Sequence, residues 1–267
     1  MIIDGKKIAE EIVEGLLAER SALPPVLRLG VLMGKEDAAS ASFVKIKERV
    51  ASQLRVLVVR EMLSESATTA DALGALSRLA KICEGIIVQL PLPMPIDSEE
   101  ILKAIPQGKD VDAINPDTQE SLVLAPVAGA MAEIFECYNI NGRQKKAVVV
   151  GAGRLVGAPA AKLLADIGAQ VSVVTQTDGS LQELKDADLV VLGAGSQWLV
   201  KPEMLKEGVV LLDAGTSEQG GKLAGDADPR CAEVASVFTP VPGGIGPIAV
   251  AMIFKNLYTL VRKNTRS

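Results

Sequence analysis

Histidine is absent from the 267 residues. Its absence removes every Ser-His-Asp and Cys-His nucleophile system and any histidine metal site. Acid–base chemistry in this chain therefore falls to Lys, Asp, Glu, Tyr, Cys or water. Aromatic residues are scarce, with four Phe, two Tyr and one Trp, so stacking platforms for nucleic acid are few. A formal net charge of −5 points the same way, and no nucleic-acid partner is expected. Cys83, Cys137 and Cys231 are odd in number and far apart, which suits neither a disulfide framework nor a zinc site. No metal is expected. No apolar run approaches the roughly 20 residues of a membrane span, and no membrane partner is expected. The first residues, Met1 to Lys7, lack the long apolar core of a secretion signal, so the expected compartment is the cytoplasm.

What is present fits a globular chain: 48% hydrophobic and 23% charged residues, long enough for one large or two ordinary domains. Apolar spacing predicts helices over 8–18, 40–53 and 70–81, alternating with strands at 27–33, 54–62 and 85–90. A short helix at 98–105 and an irregular polar stretch at 108–121 follow. Residues 125–138 read as a connecting helix with Pro126 near its start. Strands are predicted at 147–150, 170–175, 188–193, 209–213 and 236–238, with helices at 158–167 and 181–186. The last helix, 248–262, is expected to return to the first domain, because the second sheet is complete by then. This alternation gives an α/β fold of two domains. Residues 1–124, completed by 248–267, form an N-terminal three-layer α/β domain. Residues 125–247 form a Rossmann-like dinucleotide-binding domain with a parallel sheet. No repeats or low-complexity segments interrupt them.

Five stretches could carry chemistry. The apolar run 147–150 leads into Gly151, Gly153 and Gly157 and then a helix, an order that aims backbone N–H groups at a phosphate. The spacing is one residue longer than the usual dinucleotide fingerprint, and glycines also serve ordinary tight turns. Phe43 and Lys47 are four apart on a helix and share a face, although a helical lysine is most often solvated. Gln89 ends a buried strand just before Pro91 and Pro93, where its amide could bond a ligand or a lysine, or simply cap the turn. Asp110 and Asp112 could accept from a ligand's N–H groups or sit in solvent. The string 239–247 packs three prolines and three glycines into nine residues, and a ligand-lining role is preferred for it.

With these segments in this order, the chain resembles the bifunctional methylenetetrahydrofolate dehydrogenase/methenyltetrahydrofolate cyclohydrolase family (FolD type), from about residue 2 to about residue 260. The most specific matches are 88–93, 109–112 and 239–247; Gly151, Val156, Gly157 and Pro159 match the family's cofactor loop less fully. The resemblance implies oxidation of 5,10-methylenetetrahydrofolate with a nicotinamide cofactor, NADP or NAD. Hydrolysis of the methenyl product to 10-formyltetrahydrofolate follows, within one-carbon metabolism. It makes 1–124 the folate-binding catalytic domain, with a cleft between the domains for folate and dinucleotide. The family's catalytic lysine matches Lys47, its lysine-tuning glutamine Gln89 and its pterin-binding aspartate Asp112. Phe43, Val88, Leu90, Pro91, Pro242, Gly243 and Gly244 fall at substrate-binding positions. Gly151, Ala152, Gly153, Arg154, Leu155, Val156, Gly157, Gln176, Thr177 and Thr216 fall at cofactor-binding ones. A homodimer is implied as well.

The departures are as informative. Phe43 stands where the family has tyrosine, and Val123-Leu124-Ala125-Pro126 where it has Pro-Cys-Thr-Pro. Ala152-Gly153 replaces Arg-Ser, Gln176-Thr177 replaces His-Ser, and Ala249 replaces threonine. The groups that would hold a 2′-phosphate are therefore missing. Asp178 lies about where an acid could meet a ribose 2′-hydroxyl, while Arg154 could restore phosphate binding. The balance leans slightly to NAD. Two alternatives stay open: a family member with one activity lost, and a folate- or nucleotide-binding regulator without turnover.

Overall fold

Runs of Leu, Val and Ile bounded by turn residues become parallel strands, and each amphipathic segment between them becomes a helix laid on the sheet. The computed structural model describes residues 1–34, 38–118, 121–219 and 222–266, apart from the side chains of 38–44, 219, 222 and 266. The chain forms two units, Glu10–Pro126 with Val250–Ser267, and Met1–Ala9 with Val127–Ala249.

In the first unit the order is α1 (Gly5–Glu19, its start shared with the second unit), β1 (Leu27–Met33), α2 (Ala38–Gln53), β2 (Val56–Met62), α3 (Thr69–Ile82), β3 (Gly85–Val88) and α4 (Ser98–Lys103). The strands make a parallel sheet in the order β2-β1-β3. Central β1 is buried along nearly its whole length, which explains its unbroken apolar sequence. A reciprocal cap starts α3: Asp71 N donates to Thr68 Oγ1 at 3.2 Å, and Thr68 N donates to an Asp71 carboxylate oxygen at 2.9 Å. The helix then buries Ala72, Ala75, Leu76 and Leu79 at helical spacing. Each leucine contributes roughly 1.5–3 kcal/mol of burial.

The second unit holds α5 (Pro126–Cys137), β4 (Lys146–Val150), α6 (Gly157–Asp166), β5 (Gln170–Val174), β6 (Leu189–Leu192), β7 (Val210–Asp213), β8 (Ser217–Gln219), β9 (Lys222–Ala224) and β10 (Val237–Thr239); α7 (Ile245–Arg266) starts in it and from Val250 onward belongs to the first unit. Its parallel sheet runs β10-β7-β6-β4-β5. The chain proceeds from β4 to one side and then returns to β6 on the other. The carboxyl ends of β4 and β6 therefore flank a topological switch point, where α/β sheets bind ligands.

Several expectations are corrected. The helix expected at 181–186 is present and is of the 3-10 type, started by Ser180 and Glu183 in a reciprocal cap. The antiparallel pair β8–β9 was not foreseen. The first nine residues group with the second unit, not the first: Ile3 N donates to Phe238 O, Phe238 N to Met1 O and Gly5 N to Gly243 O, each at 2.9 Å. Finally, α7 starts three residues early and ends at Arg266. Residues 245–265 are long and apolar enough, by length and composition, to cross a bilayer, with a mean hydropathy of 1.2. Yet 67% of that window is buried within the protein, as in a core helix.

Candidate active site

Lys47 stands half-buried on α2, and its Nζ donates to Gln89 Oε1 at 2.9 Å. Gln89 is fixed from below, since its backbone N–H extends the sheet to Leu32 O at 2.8 Å. Its Nε2 turns to Leu90 O at 3.3 Å, just before a cis Leu90–Pro91 peptide. Orientation of the amide is thus set by strand and turn, leaving Oε1 for the lysine. Burial lowers the Lys47 pKa from the usual lysine value, and the charge of Asp112 opposes that shift. Burial in turn pushes Asp112 up to about 6; Lys47 pulls it back, and Asp110 adds to the rise.

The turn carrying Asp112 is over-determined. Asp110 is buried, and its Oδ2 accepts from Ile114 N and Asn115 N, both at 2.9 Å. Asn256 on α7 donates to Val111 O and Leu124 O, each at 2.8 Å. Lys109 Nζ reaches Ala80 O and Cys83 O at the end of α3, so the first charge of this string is structural. Ala113 sits at φ +50°, a left-handed position that a residue with a Cβ tolerates at about 1 kcal/mol. Together these groups deliver a desolvated ammonium, an amide oxygen and a carboxylate to one neighbourhood.

Of the remaining folate-side positions, Leu90 is partly buried and Pro91 exposed, while the Val88 side chain packs into the core with Leu32, Leu79 and Ile86. Val88 therefore has only its backbone to offer a ligand. The Phe43 side chain lies outside the described residues. Pro242, Gly243 and Gly244 belong to the second unit, whereas Lys47 belongs to the first. Pro242 is exposed after a cis peptide, Gly243 has φ +107°, and Gly244 N donates to Pro240 O at 2.8 Å. A side chain at Gly5 would overlap Gly244 O, so the amino-terminal segment sits hard against this loop.

Gly151 follows β4 at φ +100°, and a Cβ there would lie 2.5 Å from Gly193 O. A Cβ at Gly157 would overlap Gly151 O. These two glycines are required by the turn itself. Gly153 is different, because a Cβ there would meet nothing within 4 Å. Val156, which precedes α6, supplies no side-chain cap; Ala158 N donates to Gly153 O at 3.0 Å and Pro159 has no N–H, so the Gly157 N–H is the donor that the start of the helix can offer an anion. Ala152, Gly153, Arg154 and Leu155 are exposed and Val156 is partly so. At the end of β5, Thr175 Oγ1 accepts from Thr177 N at 3.3 Å and Asp178 N at 3.0 Å, holding Gln176 and Thr177 in an exposed turn. Thr216 is exposed just past β7. These residues fit a dinucleotide diphosphate, which needs close backbone approach at the glycines and a donor such as the Gly157 N–H at the helix start.

Sequence reasoning passed over residues 193–196, which follow β6 at the same switch point. Gly193 N donates to Val150 O at 2.8 Å, and a Cβ at Gly193 would overlap Val156. The signal was there in Gly193-Ala194-Gly195 after an apolar run. A separate depression at the opposite, amino ends of β4, β6 and β7 is lined by Lys145, Asp188 and Lys206. Its Lys206–Asp188 pair, at 2.6 Å, is self-satisfied.

Two family models match the chain. The catalytic domain of tetrahydrofolate dehydrogenase/cyclohydrolase matches residues 3–112, and the NAD(P)-binding domain of the same enzymes matches residues 125–265. The chain is 35% identical to the bifunctional protein FolD of Staphylococcus aureus over 281 aligned residues, covering 99% of this chain and 97% of the relative. Among solved structures, the bifunctional enzyme FolD of Campylobacter jejuni superposes with a TM-score of 0.92 at 30% identity, over 99% of both chains. The Trypanosoma brucei N5,N10-methylenetetrahydrofolate dehydrogenase-cyclohydrolase, complexed with NADP cofactor and inhibitor, gives 0.92 at 29% identity, over 100% of this chain and 99% of that one.

Proposed function

The chain belongs to the tetrahydrofolate dehydrogenase/cyclohydrolase family, and from that premise we propose how its own residues divide the two reactions. It oxidises 5,10-methylenetetrahydrofolate with NAD(P) and hydrolyses the 5,10-methenyl product to 10-formyltetrahydrofolate. The observation that carries the assignment of roles is the Lys47–Gln89 hydrogen bond at 2.9 Å, made by a lysine whose burial favours its neutral form.

In the hydrolytic step water adds to the cationic methenyl carbon, one proton leaves, and a carbon–nitrogen bond opens to give the formyl product. Lys47 is the group that takes and returns the proton. A lysine at its reference pKa of about 10.4 could only donate, so the lowering by burial is what makes it serviceable as a base. Gln89 cannot titrate; by accepting one N–H it fixes where the lysine nitrogen points. Asp112 accepts from the pterin N–H groups and restrains the fall of the lysine pKa.

The bound nicotinamide dinucleotide supplies the hydride acceptor. Gly151 and Gly157, with the Gly157 N–H at the start of α6, would hold its diphosphate, while Gly153 leaves room for backbone approach. Arg154, Leu155, Val156, Gln176, Thr177 and Thr216 border it. NAD is preferred over NADP, since exposed Ala152 and Gly153 offer no cation to a 2′-phosphate and Asp178 carries a negative charge nearby in the chain. The Asp178 carboxylate is part-used, accepting from Gly179 N at 3.0 Å. We assign a homodimer as the working assembly, which light scattering at micromolar protein tests.

A thermal-shift titration with NAD, NADP and a folate analogue tests the ligand assignments together. A ligand at 100 times its dissociation constant adds about 2.7 kcal/mol to the native state. A clear rise with the folate analogue and a larger rise with NAD than NADP is expected. No rise with either dinucleotide rejects the glycine turn as their site.

A further inference from the structure

Asp213 ends β7, and Asp226 lies just past β9, with Gly225 between; they are 1% and 0% exposed. Among the described residues no lysine or arginine pairs with either carboxylate. Backbone N–H groups satisfy them instead. Asp226 Oδ2 accepts from Ala194 N at 2.6 Å and Gly195 N at 3.1 Å, and its Oδ1 accepts from Ser196 N at 2.7 Å. Asp213 Oδ1 accepts from Gly215 N at 3.0 Å and Asp226 N at 3.3 Å, and its Oδ2 from Ala227 N at 2.9 Å. Thr239 ties the assembly to β10, accepting from Asp213 N at 2.7 Å. A Cβ at Gly215 would overlap the Asp226 carboxyl, and one at Gly225 would overlap that of Asp213. Both approaches thus depend on glycine.

Two buried acids without a cation are an expensive way to stabilise a fold. Burial, reinforced by Asp226, pushes Asp213 up to about 7. A polar cluster this costly is informative about what it holds still. Three consecutive N–H groups, from Ala194 to Ser196, converge on one carboxylate, a backbone concavity of the kind that otherwise binds anions. The segment so gripped begins at Gly193, which bonds Val150 O and leaves no space for a Cβ against Val156 or the 151–157 turn. Asp226 therefore sets the backbone that walls the diphosphate turn, and Asp213 sets the backbone of Asp226.

We propose that Asp226, braced by Asp213, is a positioning residue for the dinucleotide-dependent step, acting through residues 193–196 on the 151–157 turn. This rests on the reading of that turn as the NAD(P) site. The hydrolytic step, assigned to Lys47 on the other unit, does not depend on it.

Trp198 is the chain's single tryptophan; it stands two residues past Ser196 with a half-exposed side chain, and its backbone N–H donates to Gly225 O at 3.1 Å, next to Asp226. Its fluorescence therefore reads the segment directly during titration with NADH or NADPH. Asp226→Asn places an N–H₂ group against backbone donors. It is expected to raise the dissociation constant and the KM for the dinucleotide at least tenfold, with kcat and KM for hydrolysis of supplied methenyltetrahydrofolate unchanged. Wild-type affinity and KM in folded Asp226→Asn overturn the proposal. Both activities falling in parallel with the melting temperature overturn it too, by giving the pair a purely structural role. Should Asp226→Asn fail to fold, Asp213→Asn reads the same split, because its carboxamide oxygen still accepts from Gly215 and Asp226; an unchanged KM there overturns the proposal. A wild-type chain that binds neither dinucleotide refutes the underlying site assignment rather than the positioning role.

Discussion

Replacing Lys47 with methionine removes the titrating nitrogen and keeps most of the apolar stem. Proton handling by a placed side chain is worth roughly 10²- to 10⁴-fold, or about 3–5 kcal/mol of barrier. The hydrolysis rate of Lys47→Met should fall within that range. The fold should survive. Gln89 Oε1 loses its donor at 2.9 Å, which costs about 1–3 kcal/mol if no water replaces it, but a desolvated ammonium is removed at the same time. The two changes offset, leaving a net stability change of about 1 kcal/mol. Asp112, freed of the charge that holds it down, should titrate above its value of about 6. The assay follows loss of methenyltetrahydrofolate absorbance with wild-type and variant chains at equal folded concentration, checked by circular dichroism. A folded Lys47→Met chain that hydrolyses at the wild-type rate would refute the reasoning.

Acidity offers a second test: as pH falls through about 6, Asp112 protonates and the hydrolysis rate should drop, and Asp112→Asn should lose that limb of the profile. Stability moves in the opposite sense. Asp112 at about 6 and Asp213 at about 7 lie above the unfolded aspartate value of about 3.9, so the native state binds the extra protons. Their ionisation weakens folding, and the melting temperature should fall from pH 5 to pH 8; a rise over that window contradicts the burial assigned to them. For cofactor choice, Ala152→Arg adds a cation at an exposed position of the turn. It should raise kcat/KM for NADP about tenfold with little change for NAD, consistent with a charged hydrogen bond of about 1.5 kcal/mol. Gly5→Ala forces a Cβ onto Gly244 O and should destabilise the chain by about 1–3 kcal/mol, read by urea midpoint; an unchanged midpoint would show that the loop yields freely.

Where local pattern decides structure, the sequence was legible. β1, α3 and β3 follow from apolar runs and spacing, and the β4–Gly151–α6 unit follows from glycine placement. Where distant partners decide, it was not. Pairing of the first residues with β10 depends on a contact some 235 residues away, as between Met1 N and Ser236 O. The strands β8 and β9 are three residues each and mostly polar, so no period-2 signal marks them, although Gly220 and Gly221 between them are a hairpin cue. The Lys47–Gln89 bond spans 42 positions and was reached through family resemblance, not spacing. Asp213, at the end of a predicted strand, and Asp226 were not singled out, because nothing in a sequence distinguishes a solvated carboxylate from one wrapped in backbone N–H groups.

The central claim is that one chain carries methylenetetrahydrofolate through both steps. A single-turnover reaction with enzyme in excess over 5,10-methylenetetrahydrofolate, in saturating NAD, measures it directly. The account requires one equivalent of NADH and one of 10-formyltetrahydrofolate, with the methenyl intermediate appearing only transiently. Methenyltetrahydrofolate that accumulates and decays at its uncatalysed rate, or an absence both of NADH with NAD and of NADPH with NADP, would contradict it.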